Sequence, residues 1–307
     1  MKILITGSQG LIGSALRESL GGKHEIVEAD KKNGPHQNLL NIDSDYFKSL
    51  EGIDLIIHLA NNARVRKLVK YPELAKENID MNYNIMNYCV QKRIPRIMMA
   101  SSRETYGNQS LESCKETDAH IWECESPYTA SKFLGESYMM SLRVCYGIKP
   151  IIVRLSNVFG FNDPNYRFVP MLFEKLSKGD DVTIFGGGKD MDFTYIKDCA
   201  AGIITVIDNF DRLAEEKIPI FNIAYGQCNH LEEVANYLKE KLNSPSKIIV
   251  TDNYPGEVVH YRANIDKITS LTGWSPKYTV RQGLDEMCDA LKLDPTLKVS
   301  LVEREDG

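Results

Sequence analysis

Tyr128 and Lys132 lie four residues apart in a segment that opens with Ser126-Pro127 and predicts the start of a helix. This spacing places both side chains on one helical face. A free tyrosine has a pKa of about 10 and is a poor base at neutral pH. A nearby ammonium favours the phenolate and lowers that pKa. The pair therefore predicts a tyrosine that acts as a base, with a lysine beside it.

Two adjacent serines follow the apolar run Ile97–Ala100, which predicts a β-strand. Open α/β sheets build their sites at the carboxyl ends of strands, where Ser101 and Ser102 stand. Both hydroxyls could instead cap a turn. Because the Tyr128–Lys132 pair is also present, we favour a catalytic role for the serines. The Ser102 hydroxyl would hydrogen-bond the same substrate oxygen as Tyr128 and position it for proton loss while a hydride leaves its carbon.

Gly7, Gly10 and Gly13 follow a Gly-x-x-Gly-x-x-Gly spacing between the first predicted strand and the first predicted helix. Glycines in this context allow a tight turn, close approach of the backbone to a pyrophosphate, and close packing of helix on strand. The helix begins at Leu11. Its first turn, which includes Leu11 and Ile12, supplies unpaired N–H groups and the positive end of the helix dipole. The pattern predicts a dinucleotide site.

Asp30 closes the second predicted strand, seventeen residues beyond Gly13. A carboxylate at this place can accept hydrogen bonds from the adenosine ribose and would repel a 2′-phosphate, so we predict NAD rather than NADP. Lys31 and Lys32 follow at once and could soften that discrimination. The alternative interpretation of Asp30 is a solvated charge at the end of a strand.

Short apolar runs alternate with helix-like stretches through the N-terminal half, which predicts βα units and a parallel sheet. The predicted strands are Ile3–Thr6, Glu25–Glu28, Leu55–Leu59, Ile97–Ala100 and Ile151–Leu155, and the predicted crossover helices are Leu11–Leu20, Pro72–Gln91 and Tyr128–Tyr146. We therefore predict an α/β fold, a Rossmann-type doubly wound parallel sheet with a smaller mixed α/β C-terminal substrate domain. Residues 1–165 and about 193–226 would form the NAD-binding domain, and residues 166–192 and about 227–307 the substrate-binding domain.

The 307-residue chain is 43% hydrophobic and 26% charged, as is typical of globular proteins, and its net charge is −5. This charge gives no general attraction to nucleic acid or to an anionic membrane. No apolar run approaches the roughly 20 residues that span a bilayer. Seven scattered cysteines without a Cys-x-x-Cys pair indicate free thiols in a reducing cytoplasm. The six histidines lack ligand-like spacing, so we expect no metal site.

The chain resembles the extended short-chain dehydrogenase/reductases, specifically the NAD-dependent sugar epimerase/dehydratase family, over nearly its whole length, to about Gly283. Further motifs carry this resemblance beyond those above. They are His58-Leu59-Ala60, Asn78-Ile79 heading a helix, the runs 154–160, 184–188 and 192–198, Pro255-Gly256-Glu257, and the run 272–276.

The resemblance implies a tightly held NAD that is recycled in each turnover. It implies that Tyr128 is the base, that Lys132 holds Tyr128 and the nicotinamide ribose, and that Ser102 orients the substrate hydroxyl. Further residues beside the cofactor would be Leu59, Ala60 and Asn78. Hydride would move from the sugar C4 to NAD and leave a 4-keto intermediate. An epimerase then returns the hydride to the other face, whereas a dehydratase or decarboxylase uses the ketone to activate C5.

Three positions near the sugar bear on the outcome of the reaction. Glu104 resembles the glutamate of the dehydratases and decarboxylases, which could act as a general acid or base near C5. Arg103 replaces the aspartate expected of 4,6-dehydratases, so that acid/base pair is incomplete. Asn157 belongs to a run that resembles the family's sugar-binding segment. A salt-bridged, structural Glu104 is the alternative to a catalytic one.

The family usually has arginines that hold a diphosphate at the positions of Met191 and Tyr254 in this chain. Arginine suits phosphate because its fork donates two charge-assisted bonds. A nucleotide-sugar would therefore need replacement groups, for which the candidates are Arg167, Lys189 and Arg262. Without such a clamp, the pattern favours a substrate other than a nucleotide-sugar.

The leading hypothesis is a nucleotide-sugar epimerase that acts at C4. The second is sugar 4,6-dehydration, decarboxylation or NAD-dependent net oxidation on the same scaffold. The third is an NAD-binding regulator without catalysis, which the intact Ser102, Tyr128 and Lys132 oppose.

A homodimer is a further expectation. Members of this family commonly pair the two helices 72–91 and 128–146 across a two-fold axis. The apolar positions Phe133, Met140 and Val144 could instead face their own sheet.

Overall fold

The computed structural model describes residues 1–109, 111–163, 165–252 and 258–299. The strands are β1 (Lys2–Thr6), β2 (Glu25–Ala29), β3 (Leu55–His58), β4 (Arg96–Ser102), β5 (Lys149–Leu155), β6 (Asn157–Phe159), β7 (Val182–Phe185), β8 (Asp190–Tyr195), β9 (Ile220–Ile223), β10 (Cys228–His230), β11 (Ile248–Thr251) and β12 (His260–Tyr261). The helices are α1 (Leu11–Leu20), α2 (Asp45–Ser49), α3 (Val65–Lys70), α4 (Glu73–Gln91), α5 (Pro127–Tyr146), α6 (Phe168–Lys178), α7 (Ile196–Asp208), α8 (Phe210–Ala214), α9 (Leu231–Lys241), α10 (Asp266–Thr272) and α11 (Val280–Leu293).

The larger sheet is parallel and has six strands in the order β2-β1-β3-β4-β5-β9. Its strands are apolar on both faces because helices cover both faces. In β1, Ile3 and Ile5 pack with α1 and α7, whereas Leu4 packs with α4 and α5. The predicted doubly wound α/β fold is confirmed.

The predicted strand ends differ from the observed ends by one or two residues. β4 continues through Ser102, so Ser101 and Ser102 belong to the strand and do not follow it. β3 ends at His58, one residue before the predicted end. Both shifts follow from the pairing of neighbouring strands, since Ser102 pairs with Leu155 of β5.

A second apolar core joins α6, α9 and α11 to the strands of two smaller sheets. One of these sheets has the order β10-β8-β12 with β6 also paired to β8, and the other pairs β7 with β11. The predicted division between residues 192 and 193 falls inside β8, whose Phe193 and Tyr195 pack in this second core. The domain boundaries therefore stay a prediction.

No helix within the described ranges is both long enough and apolar enough to cross a lipid bilayer.

Candidate active site

The glycine-rich turn brings β1, α1 and the end of β3 into close contact. Gly7 has a φ of +69°, and a Cβ there would lie 2.8 Å from the Ala60 nitrogen. A Cβ at Gly13 would lie 2.2 Å from the Gly7 carbonyl oxygen. Gly10 precedes α1 and makes no side-chain cap, so the first N–H groups of the helix, from Leu11 onward, are not covered by a capping side chain. This turn fits a bound pyrophosphate.

Asp30 lies beside the glycine turn. One of its carboxylate oxygens accepts from the Gln9 N–H at 3.0 Å, and the other accepts from the Lys32 N–H at 2.9 Å. Each oxygen keeps acceptor capacity for a ribose hydroxyl. The side chains of Lys31 and Lys32 are exposed to solvent. The structure therefore fits both the ribose role and a local capping role for Asp30.

Glu28 is a second acidic residue at this end of the sheet, and it is not among the residues predicted from the sequence. It forms an ion pair with Arg17 at 2.8 Å and accepts from the Ser8 hydroxyl and the Gln9 side-chain amide. These bonds fix the glycine turn against β2. Glu28 lies two residues before Asp30, and side chains two residues apart on a strand point to the same face. This spacing was the signal that could have identified Glu28.

The segment after β3 is held by hydrogen bonds from buried polar groups. The Leu59 and Ala60 N–H groups donate to the Thr6 hydroxyl at 3.2 and 3.3 Å. Asn78 lies within α4, not at its head as predicted, and is completely buried. Its side chain accepts from the Asn62 N–H at 2.8 Å and donates to the Asn62 carbonyl at 3.1 Å. Asn78 therefore shapes the backbone that follows β3.

Ser102 and Tyr128 form the centre of the candidate site. α5 begins at Pro127, and the Ser126 hydroxyl caps it by accepting from the Thr129 N–H. This start places the buried Tyr128 near Ser102 at the carboxyl end of β4, where the serine side chain acts to lower the pKa of the phenol. The Lys132 ammonium lies 5.6 Å from the centre of the Tyr128 ring. The structure thus brings together Ser102, Tyr128 and Lys132, three of the residues that were predicted to be catalytic.

Ser101 and Ser102 face different surroundings because successive residues of a strand point in opposite directions. The Ser101 hydroxyl donates to Glu136 at 2.5 Å. Glu136 is buried and forms a double hydrogen bond with Arg154, at 2.7 and 2.9 Å. Ser101 therefore belongs to a buried ion-pair network beneath the site, and only Ser102 reaches Tyr128.

The electrostatics of Tyr128 differ from the sequence expectation. Burial raises the pKa of Tyr128 to about 12, although the nearby Ser102 side chain opposes this change. Burial also lowers the pKa of Lys132 to about 8, against the charge of Glu136. The Lys132 ammonium donates to the Ala100 carbonyl at 2.9 Å. The expectation that Lys132 acidifies Tyr128 is not met by the chain alone, because desolvation outweighs the nearby charges.

Arg103 and Glu104 form a buried ion pair next to Tyr128. The Arg103 Nη2 lies 2.8 Å from the Glu104 Oε1, and the Arg103 Nε donates to the Asn157 Oδ1 at 3.0 Å. The Arg103 guanidinium also lies 5.9 Å from the centre of the Tyr261 ring. The structure therefore joins three of the predicted sugar-site residues and adds Tyr261, which no sequence pattern singled out.

Three polar atoms of this group are buried without a hydrogen-bond partner among the described residues: Arg103 Nη1, Glu104 Oε2 and the Tyr261 hydroxyl. Leaving a buried polar group unpaired costs about 1–3 kcal/mol. A cluster of such atoms is therefore typical of a site that receives a polar ligand.

The three candidates for a replacement clamp have different surroundings. Arg167 forms an ion pair with Asp163 at 2.9 Å and lies within electrostatic reach of Tyr128. Arg262 donates to the Gly226 carbonyl at 3.0 Å. Lys189 is buried.

Met191 lies in the second apolar core and is 4% exposed, so it offers no polar group for a phosphate. Tyr254 and the motif Pro255-Gly256-Glu257 lie outside the described residues.

The sequence model of the NAD dependent epimerase/dehydratase family matches residues 3–224. An uncharacterized UDP-glucose epimerase of Bacillus subtilis is 28% identical and covers 92% of this chain and 96% of its own. A putative UDP-glucose 4-epimerase of Methanocaldococcus jannaschii is 26% identical, with coverages of 94% and 98%. The crystal structure of UDP-glucuronic acid 4-epimerase from Bacillus cereus, in complex with UDP-glucuronic acid and NAD, superposes with a TM-score of 0.82. It is 25% identical, with coverages of 95% and 99%.

Proposed function

Because the chain belongs to the NAD dependent epimerase/dehydratase family, we propose that it is a nucleotide-sugar epimerase that acts at C4 through a transient 4-keto sugar. The observation that carries this proposal is the position of the buried Tyr128 beside Ser102 and Lys132, at the carboxyl end of β4. Relatives named as UDP-glucose epimerases, matched over nearly their full length, support the substrate class.

NAD, when bound, supplies the acceptor and donor of hydride. Its pyrophosphate would lie against Gly7, Gly10 and Gly13 and the first N–H groups of α1, of Leu11 and Ile12. Asp30 would accept from the adenosine ribose. The predicted contacts of Leu59, Ala60 and Asn78 remain part of this proposal.

Tyr128 and Ser102 would both hydrogen-bond the sugar hydroxyl at C4. Tyr128 takes the proton of that hydroxyl as C4 becomes a ketone, and gives it back when C4 is reduced on the other face. Since burial raises the pKa of Tyr128 to about 12, the phenol keeps its proton until further positive charge is placed beside it. Lys132 holds the geometry through its bond to Ala100, which leaves the rest of its ammonium for the ribose.

The sugar ring would satisfy the unpaired atoms of Arg103, Glu104 and Tyr261. Two of these atoms are donors and the Glu104 oxygen is an acceptor, so together they match a hydroxyl-rich ring. Asn157 holds Arg103 in place. A bound sugar would remove the cost of the unpaired atoms, which favours a hydroxylated substrate over an apolar one.

Arg167, Lys189 and Arg262 are our candidates to neutralise a diphosphate. Arg167 is the strongest of the three because it lies within electrostatic reach of Tyr128. Its pair with Asp163 uses the Nε and leaves other guanidinium N–H groups to donate.

Proton chemistry at C5, as in a 4,6-dehydratase or a decarboxylase, is the second candidate function. The unpaired and buried Oε2 of Glu104 favours it, because a carboxylate oxygen at this place could exchange a proton with the sugar. Net oxidation of the sugar would use the same residues without the return of hydride. A regulator that does not catalyse has no need of Tyr128 placed beside Ser102 and Lys132.

A homodimer is part of the proposal. Apolar side chains are exposed on α4 and α5, and Val144 is 85% exposed while Phe133 and Met140 are only half-buried. Tyr83 of α4 stacks on Tyr138 of α5 with ring centres 5.9 Å apart. We propose that these two helices pair with a second copy, which the mass of the purified protein by light scattering would test.

We also propose that the enzyme is cytoplasmic. None of its seven cysteines, all among the described residues, forms a disulfide bond, as is typical of proteins in a reducing compartment.

The test is to incubate the purified protein with a panel of nucleotide-sugars in deuterated water and to analyse products by mass spectrometry and NMR. We expect a C4 epimer without deuterium at C5. Deuterium at C5 with loss of water or of carbon dioxide would favour the second candidate function. Absence of conversion across the panel would refute the proposal.

A further inference from the structure

Asp190, Cys228 and His260 come together on one face of the sheet β10-β8-β12. One ligand atom from each lies within 4.8 Å of the others. They stand on three neighbouring strands, because β8 carries Asp190 and pairs with β10 on one side and with β12 on the other. Asp190 is the centre of the group. It lies 2.5 Å from the His260 Nδ1 and also contacts Cys228.

The alternation of side chains separates this group from the sugar site. His260 and Asp190 are directly paired in the sheet, and so are their successors Tyr261 and Met191. Tyr261 and Met191 point into the second apolar core. The Asp190 and His260 side chains point the other way and are 19% and 41% exposed. An ion bound between them would reach its ligands from solvent.

We propose that Asp190, Cys228 and His260 form a site for a transition-metal ion of the Zn²⁺ class. A thiolate, an imidazole and a carboxylate are the donors that Zn²⁺ takes, whereas Mg²⁺ and Ca²⁺ prefer oxygen alone. Nitrogen and oxygen ligands of one tetrahedral Zn²⁺ lie about 3.4 Å apart, given bond lengths of about 2.0–2.2 Å. The His260 side chain is partly exposed, so a small rotation opens the 2.5 Å separation from Asp190 to that distance.

Three ligands from the described residues leave the fourth tetrahedral position for water. The ion would join β10, β8 and β12 into one unit. β12 has only two residues, and its second residue is Tyr261. The Tyr261 ring lies near Arg103, and its hydroxyl has no hydrogen-bond partner among the described residues. A metal at His260 would therefore anchor the strand that carries Tyr261 into the sugar site.

The sequence predicts no metal site because the three ligands are widely separated along the chain. Residues 190 and 260 lie seventy positions apart. Only the pairing of three strands brings them together, so no motif of residue spacing in the sequence indicates the site.

The experiment uses the full-length protein without an affinity tag, stripped of metal and then titrated with Zn²⁺ or Co²⁺. We expect one Zn²⁺ per chain by elemental analysis, a thiolate-to-cobalt absorption band, and a higher melting temperature with Zn²⁺ but not with Mg²⁺. His260→Ala, Cys228→Ser and Asp190→Asn should each weaken Zn²⁺ affinity on the order of 100-fold or more, since loss of outer contacts alone costs 10–100-fold.

Cys145→Ser and His36→Ala are matched controls, because both residues are exposed and lie outside the cluster. They should keep wild-type affinity. Asp190→Asn keeps the shape of the side chain, so it tests the site even if another variant folds poorly. Absence of the cobalt–thiolate band, or equal Zn²⁺ affinity in Cys228→Ser and wild type, would overturn the proposal.

Discussion

Replacing Lys132 by methionine should make the protein more stable at neutral pH while it abolishes turnover. Lys132 is 4% exposed, and burial lowers its pKa from 10.5 to about 8. At about 1.4 kcal/mol for each pH unit, this difference means that the charged ammonium destabilises the fold by about 3 kcal/mol. Methionine fills a similar volume without a charge. Glu136 keeps its ion pair with Arg154, so no buried carboxylate is left alone.

The sign of the pH dependence follows from the proton count. Between pH 8 and about pH 10.5 the unfolded chain holds the Lys132 proton and the folded chain releases it, so wild-type stability rises with pH in that window. The advantage of Lys132→Met should be about 2–3 kcal/mol at pH 7, after the lost bond to Ala100 is subtracted, and should shrink toward zero above pH 10.

Urea unfolding of both proteins at pH 7 and at pH 9.5 measures this difference, and product formation measures turnover. Lys76→Met is the control, because the Lys76 side chain is 75% exposed and its replacement should give no such pH-dependent gain. A Lys132→Met variant no more stable than wild type at pH 7, or equally more stable at both pH values, would refute a destabilising charge on Lys132.

Tyr128→Phe should abolish turnover and leave NAD bound; turnover within a few-fold of wild type would remove Tyr128 as the base. Glu104→Gln should leave a C4 epimerase active but remove most of the rate of an enzyme that moves a C5 proton, as kcat for each reaction would show. Arg167→Ala and Arg262→Ala should each raise KM for a nucleotide-sugar, and unchanged KM values in both would eliminate the replacement clamp. Gly13→Ala should lose NAD binding by calorimetry, since its Cβ would lie 2.2 Å from a backbone oxygen; retained affinity would contradict the pyrophosphate site.

Patterns within a few residues carried most of the prediction of the fold. Strands covered on both faces are recognisable as continuous apolar runs, so the predicted core of each main strand was correct. The ends were less well predicted, because a strand ends where its neighbour stops pairing with it. The continuation of β4 through Ser102 depends on Leu155, which is distant in sequence.

The candidate site divides in the same way. The spacing of Tyr128 and Lys132 and the glycines after β1 were readable because helix and turn geometry act over three to seven residues. The sequence could not fully determine whether Ser101 or Ser102 lies beside Tyr128. It depends on which face of β4 meets Tyr128 and which meets Glu136.

The sequence by itself determined the fold class, the dinucleotide turn and the tyrosine–lysine pair, because short-range backbone geometry specifies each of them. The tertiary structure alone decided that burial governs the charges of Tyr128 and Lys132, since desolvation depends on all the packed neighbours. It alone placed Tyr261 beside Arg103 and assembled Asp190, Cys228 and His260. Those groupings arise from strand pairing between distant segments, which leaves no local pattern in the chain.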